Sequence, residues 1–252
     1  MIGEYEILKK RFIELANKAY NGNYYTFTDI LGLAEQSAFS EILPKINGVE
    51  YSAFGGCVGA ERVMIRFGNR SEIGYDVDFP IACIKAAPLS QKFADKLTHR
   101  DFLGAILNLG IERDTLGDIV ILDNVGYIFC KEDIASYIVD GLIRIKRTDV
   151  RCELCNDIPQ EALYKTEEKV VQISSERVDS VIAKTFNLSR DDAQSLFKKG
   201  LVFVNGKMCE SVSHKPHEND KISVRGHGRF IYRGYKTLSK KGKLNAIVEL
   251  YT

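Results

Sequence analysis

No apolar run in this 252-residue sequence reaches the roughly 18–20 residues needed to cross a bilayer. The opening residues, MIGEYEILKKRF, mix charged and apolar side chains and lack the continuous apolar core of a signal peptide. The expectation is a cytoplasmic protein with no membrane partner. A large net charge is missing too: 35 Lys and Arg against 34 Asp and Glu leave +1. Taken alone, that balance argues against a polyanion partner, because such binders are usually basic. Cysteine is sparse, with six residues in all, which excludes a dense disulfide framework. A hydrophobic share of 45% and a charged share of 27% exclude wholesale disorder and a collagen-like fibre.

The near-zero charge hides a split. Residues 174–252 hold 15 Lys and Arg and 8 Asp and Glu, a local charge of +7, and residues 1–173 carry −6. Segments of opposite sign suggest different jobs. Cys152 and Cys155 form a CxxC, and His214 and His217 an HxxH. Four such ligands could hold zinc in principle. Here the two pairs fall in separate segments, and the strand-like alternation of VRCELCNDI points the two cysteines to opposite faces. No metal site and no cofactor are expected.

Local patterning divides the chain into an α+β organisation. Residues 1–48 read as a helical N-terminal subdomain. Ile7, Leu8, Phe12, Leu15 and Ala19 repeat at helical spacing, Gly22 stops the run, and Thr28 is positioned to cap a second helix that ends before Pro44. Residues 49–160 alternate strands and helices and from Phe79 spell βαββαβ, the order of ferredoxin-like and RRM-like domains. An RRM stacks bases on sheet aromatics, and VGYIFCK offers Tyr127 and Phe129, but without the basic-Gly start of that motif. Core packing is the favoured reading for both. Residues 161–173 read as linker or connecting strand. Residues 174–252 begin with two short helices, capped by Ser174 or Ser175 and by Ser189. A hairpin with Asn205-Gly206 at a type I′ turn and further strands follow.

Within that last segment, RVDSVIA (177–183), LSRDDAQ (188–194), KGLVFVNG (199–206) and DKISVRGHGRF (220–230) resemble, in order, the blocks of the S4 (αL-type) RNA-binding domain. HRDFLGAILNLGIERDTLGDI (99–119) and GRFIYRGYKTLSKKGKL (228–244) are similar to the YlmH group of bacterial S4 proteins. That resemblance covers about residues 50–252. It implies a helical N-terminal part, an RRM-like middle domain and a C-terminal S4 domain. It also implies a non-enzymatic RNA-binding role in ribosome-associated quality control. The implied partners are large-subunit rRNA, peptidyl-tRNA and a factor that directs tailing of the stalled peptide on the split 50S subunit.

The expected RNA contacts follow. Arg177 and Arg190 match the S4 arginines and stand near expected helix starts, where backbone N–H groups also favour phosphate. Lys198, Lys199 and Lys207 bracket the second helix and the Asn205-Gly206 turn. The acid-free stretch 225–243 supplies Arg225, His227, Arg229, Arg233, Lys236, Lys240, Lys241 and Lys243, interleaved with Phe230, Tyr232 and Tyr235. Phe230 reads as core by alternation. His99 and Arg100 stand as an additional RNA contact or as part of a structural first helical turn with Asp101. No catalytic residue is assigned. Two other classes are weighed: an RNA-modifying enzyme of the pseudouridine-synthase type acting through Asp101, and a protein-interaction scaffold acting through the acidic segment. His99-Arg100-Asp101 lacks the Arg-Leu-Asp order of the former, and lacks the downstream Asn of a kinase catalytic loop.

Overall fold

The computed structural model describes residues 2–46, 48–156, 158–159, 166–238 and 243–251, and the chain forms two compact units, 1–163 and 164–252. Both mix helices with antiparallel sheet, so the fold class is α+β. No helix among the described residues is long and apolar enough to cross a membrane.

Unit 1 begins with α1 (Ile2–Gly22), β1 (Thr26–Phe27), α2 (Leu33–Ile42), β2 (Tyr51–Phe54), β3 (Met64–Phe67) and the single turn α3 (Arg70–Ile73). Phe12, Leu15, Ala16 and Ala19 form the apolar stripe of α1, and all are buried. Phe39 of α2 centres this core, with its ring 5.3 Å from Phe12, 5.1 Å from Tyr51 and 5.9 Å from Phe67. The three strands form an antiparallel sheet in the order β1-β3-β2. Residues 1–48 are therefore not an all-helical subdomain: β1 pairs with β3, outside that segment. Thr28 does not cap α2. The N-cap is Gly32, and Thr28 Oγ1 instead accepts the Ile65 N–H at 2.9 Å.

The second sheet of unit 1 is built from β4 (Ile81–Pro88), α4 (His99–Leu107), β5 (Leu116–Leu122), β6 (Val125–Lys131), α5 (Glu132–Gly141), β7 (Arg144–Ile145) and β8 (Thr148–Leu154). Its order is β5-β6-β4-β8-β7, every pair antiparallel. Ile84, Ala86, Ile128 and Cys130 pack with Phe102 and Ile106 of α4 and with Ala135 and Ile138 of α5. Alternation sends Tyr127 and Phe129 to the opposite face. They are 5% and 1% exposed, so neither is open to a base. Gly56, at φ +93°, lies against Phe129: a Cβ there would fall 2.2 Å from the ring. Arg62 ties the two sheets together by donating to the carbonyls of Leu116, Ile30 and Arg113 at 2.8–3.0 Å, while Asp118 accepts the N–H groups of Glu61 and Arg62.

Unit 2 contains β9 (Thr166–Ile173), α6 (Val178–Thr185), α7 (Arg190–Lys198), β10 (Val202–Val204), β11 (Lys207–Met208), β12 (Lys221–Val224), β13 (Gly228–Leu238) and β14 (Leu244–Tyr251). One antiparallel sheet runs β11-β10-β12-β13-β14-β9. Its core joins Val178, Val181 and Ile182 of α6, Ala193, Leu196 and Phe197 of α7, and Ile222, Phe230, Tyr232 and Val248 of the sheet. Of the segment read as linker, 161–165 lie outside the described residues, and 166–173 form β9, fully in register with β14. Only Val171 and Ile173 of β9 are buried, which is why its charged first half resembles linker.

Candidate nucleic-acid interface

Helix α7 is set by Ser189, whose Oγ accepts the Asp192 N–H at 3.0 Å. Arg190 follows at the first helical position, exposed, with no carboxylate partner among the described residues. Lys198 and Lys199 stand exposed at the other end of the helix. Nine helical residues span about 13 Å, so α7 separates Arg190 from these lysines.

At that second end the chain turns through Gly200 into β10. The Arg225 N–H donates to the Leu201 carbonyl at 2.9 Å, bringing the β12–β13 turn beside Lys199. The Arg225 guanidinium lies 4.9 Å from the Phe203 ring centre, a cation–π contact that presents the charge outward. Asn205 and Gly206, at φ +51° and +78°, make the type I′ turn, and Lys207 is exposed just beyond it. Asn205 also bonds Asp220 Oδ1 at 2.7 Å and accepts the Lys221 N–H at 2.9 Å, which pins this hairpin to β12. Exposed His227 completes the β12–β13 turn, with its ring 6.0 Å from Phe186. Lys198, Lys199 and Arg225 thus stand at the start of β10, and Lys207 lies at its other end, opposite Val204; none has a carboxylate partner among the described residues.

The structure places other expected contacts differently. Arg177 is the N-cap of α6 itself, so neither Ser174 nor Ser175 caps that helix. Its guanidinium grips Asp179 with two bonds, Nε to Oδ1 at 3.0 Å and Nη2 to Oδ2 at 2.9 Å. Asp179 is 0% exposed. Burial pushes its carboxyl up, but the bonds from Arg177 and Gln194 together outweigh that and hold it below the ordinary range. Removing Arg177 would leave a buried carboxylate without this countercharge, so its loss is a stability lesion first.

Arg233 is likewise engaged. It pairs with Glu249 through two 2.9 Å bonds and also bonds Asn219. Arg229 is half-buried, 4.2 Å from the Tyr251 ring centre. Lys236 is exposed on β13, and Lys243 is exposed just before β14. Lys240 and Lys241 lie outside the described residues. Of the aromatics, Phe230 and Tyr232 are buried, with the Tyr232 hydroxyl donating to Glu176 at 3.0 Å, while Tyr235 is 49% exposed. The spacing of Arg177 and Asp179 was a signal that could have revealed their pair. Arg233 and Glu249 are diagonal neighbours across β13 and β14, visible only once the register Ile231↔Glu249 is known.

In unit 1, His99 and Arg100 open α4 as exposed residues. Partial desolvation of the His99 ring, then the Arg113 charge, holds its imidazole below the usual range. Asp101 closes a capping box: its Oδ2 accepts from the Thr98 N–H at 2.8 Å and the Thr98 hydroxyl at 2.6 Å, and pairs with Lys146 at 2.7 Å. The Lys146 and Thr98 bonds hold its carboxyl at about 2. That carboxylate is committed to the helix start. All six cysteines are unbridged. Burial pushes the thiols of Cys83 and Cys130 up to about 12 and that of Cys152 up to about 11, far from nucleophilic thiolates. No metal-holding group of His, Cys, Asp and Glu occurs among the described residues.

Residues 75–157 match the family model described as "Putative RNA-binding domain in YlmH". Over 230 residues the chain is 29% identical to the ribosome-associated protein quality control protein P2 of Bacillus subtilis (strain 168), spanning 88% of this chain and 86% of that protein. A solved structure titled cell division protein ylmH, from Streptococcus pneumoniae, shares 25% identity at a TM-score of 0.49, covering 64% of this chain and 94% of that one. The chain is thus similar to the YlmH proteins, with the family-model match at residues 75–157.

Proposed function

We propose that this chain is a non-catalytic RNA-binding factor of ribosome-associated quality control, contacting large-subunit rRNA and peptidyl-tRNA. In this reading it holds the tRNA on the split 50S subunit while a partner factor extends the stalled peptide. Unit 2 serves as an S4-type RNA-binding domain, and the βαββαβ part of unit 1 as an RRM-like domain whose sheet aromatics are used for packing. The observation that carries the reading is the junction of Lys198, Lys199 and Arg225 at the end of α7. Three exposed cations gather around one helix end without carboxylate partners among the described residues, in a chain similar over most of its length to a protein named for ribosome-associated quality control. Cations in that state are available to exchange counterions for phosphate. The occupied Asp101 carboxylate gives a base-modifying enzyme no support.

Co-sedimentation with purified 50S subunits across a salt series tests the reading. The variant R190A/K199A/R225A should bind about 10-fold or more weakly and lower the salt slope by about 3, one for each phosphate left without its cation. If it sediments with 50S subunits as wild type does, the proposed interface is wrong.

A further inference from the structure

Unit 1 carries its own cluster of unpaired cations, built where its second sheet meets the loop of residues 89–98. Three turns converge there. The Asp95 N–H donates to Thr148 Oγ1 at 2.9 Å, and Asp95 Oδ2 accepts the Arg147 N–H at 3.2 Å, which fastens the loop to the β7–β8 turn. Asn124 accepts the Leu97 N–H at 2.7 Å and donates to the Asp95 carbonyl at 2.8 Å, which fastens it to the β5–β6 turn. Lys146 reaches from the β7–β8 turn to Asp101 on α4.

The carboxylates at this end are largely spent on that architecture. Asp95 accepts a backbone N–H, Asp101 caps α4, and Asp149 pairs with Arg144 at 2.8 Å. Asp123 remains exposed in the β5–β6 turn. Lys92, Lys96, Arg100 and Arg147 are exposed and have no carboxylate partner among the described residues. This stands against the net charge of −6 over residues 1–173. Phe93 is 82% exposed, with the Lys92 ammonium 5.6 Å from its ring centre, and Leu89 beside it is 68% exposed. An open phenylalanine amid unpaired cations matches the chemistry of single-stranded RNA, an anionic backbone with bare base faces. A protein partner would need acidic side chains to match four cations and would leave the ring without its flat complement.

We propose that this loop end of unit 1 is a second RNA contact, in which Lys92, Lys96, Arg100 and Arg147 meet backbone phosphates and Phe93 stacks on an unpaired base. The surface is distinct from the sheet face carrying Tyr127 and Phe129, and it rests on the reading of the chain as an RNA-binding factor.

The test measures affinity of the full chain for deproteinised large-subunit rRNA and for intact 50S subunits. K92A/K96A/R100A/R147A should weaken both by 10-fold or more and lower the salt slope by about 3–4. Phe93→Ala should weaken both by about 5- to 100-fold with the salt slope unchanged, as expected when base stacking is removed. Should the quadruple variant unfold, K96E carries the charge test alone. The proposal falls if the quadruple and F93A variants bind rRNA as wild type does while R190A/K199A/R225A fails to, an outcome that spares the functional reading. It falls equally if the patch variants no longer bind 50S subunits but keep bare rRNA, which would make the surface a ribosomal-protein contact. If wild type binds neither probe, the functional reading falls with it.

Discussion

Asp101 shows how a suggestive residue can be purely architectural. Its carboxyl is held at about 2, first by the Lys146 bond and then by Thr98. The folded-state value lies below the ordinary 3.8, so the unfolded chain takes up this proton first. The stabilisation is complete above the unfolded value and drains away as pH falls from about 4 towards about 2. Asp101→Asn should flatten that part of the acid limb in thermal melts run from pH 5 to pH 2. An unchanged limb would mean that the cap and the Lys146 pair contribute nothing. The first helical turn was legible from the sequence around His99-Arg100-Asp101. Lys146, 45 positions on, was not, because nothing local connects the two. The same divide separates the arginines. Arg190 sits exposed at a helix start that its own neighbours dictate, and Arg177 meets Asp179 two positions on, whereas the tie of Arg233 to Glu249 depends on the pairing of β13 with β14.

Among the elements, α7 was readable because its cap, apolar face and stop lie within a dozen residues. Ser189 bonds the Asp192 N–H, and its replacement by alanine should cost about 1 kcal/mol. Urea unfolding of Ser189→Ala beside Arg190→Ala separates stability from binding. The first should lose stability, and the second should match wild type in unfolding while binding 50S subunits less well. Strands with long-range partners were harder to read. β13 continues from Gly228 to Leu238 through the basic stretch that locally resembles an RNA-seeking loop, because β12 and β14 flank it. β9 hides for the same reason: half of it is charged and exposed, and its ladder pairs it with a strand some 80 residues away.

For the whole molecule, the two segments carry opposite charge: the −6 stretch discourages general coating of polyanions, and the +7 stretch is the basic ground that the proposed directed contact would use. The unpaired cations of unit 1 add local basic ground inside the acidic stretch. The change of charge sign at Ser174 does not mark the structural boundary, because β9 belongs to unit 2. A fragment of residues 166–252 should therefore stay monodisperse in light scattering, whereas one of residues 174–252 should self-associate through the bared edge of β14, whose sequence LNAIVELY is largely apolar. Equal solubility of the two fragments would show that β9 protects nothing.

The β9–β14 ladder also has a mechanical consequence. Thr166 lies opposite Tyr251, and Ile173 lies opposite Leu244, so the strand that enters unit 2 and its last strand meet at one end of the ladder. Tension drawn between Thr166 and Tyr251 would load the hydrogen bonds one at a time from that end, in the manner of a zipper, and would not shear all of them together. Unit 2 would yield to such a pull by shedding its edge strand first and with it the packing of Val171 and Ile173 under α6, while the β10–β12 end at the far side of its sheet kept its shape.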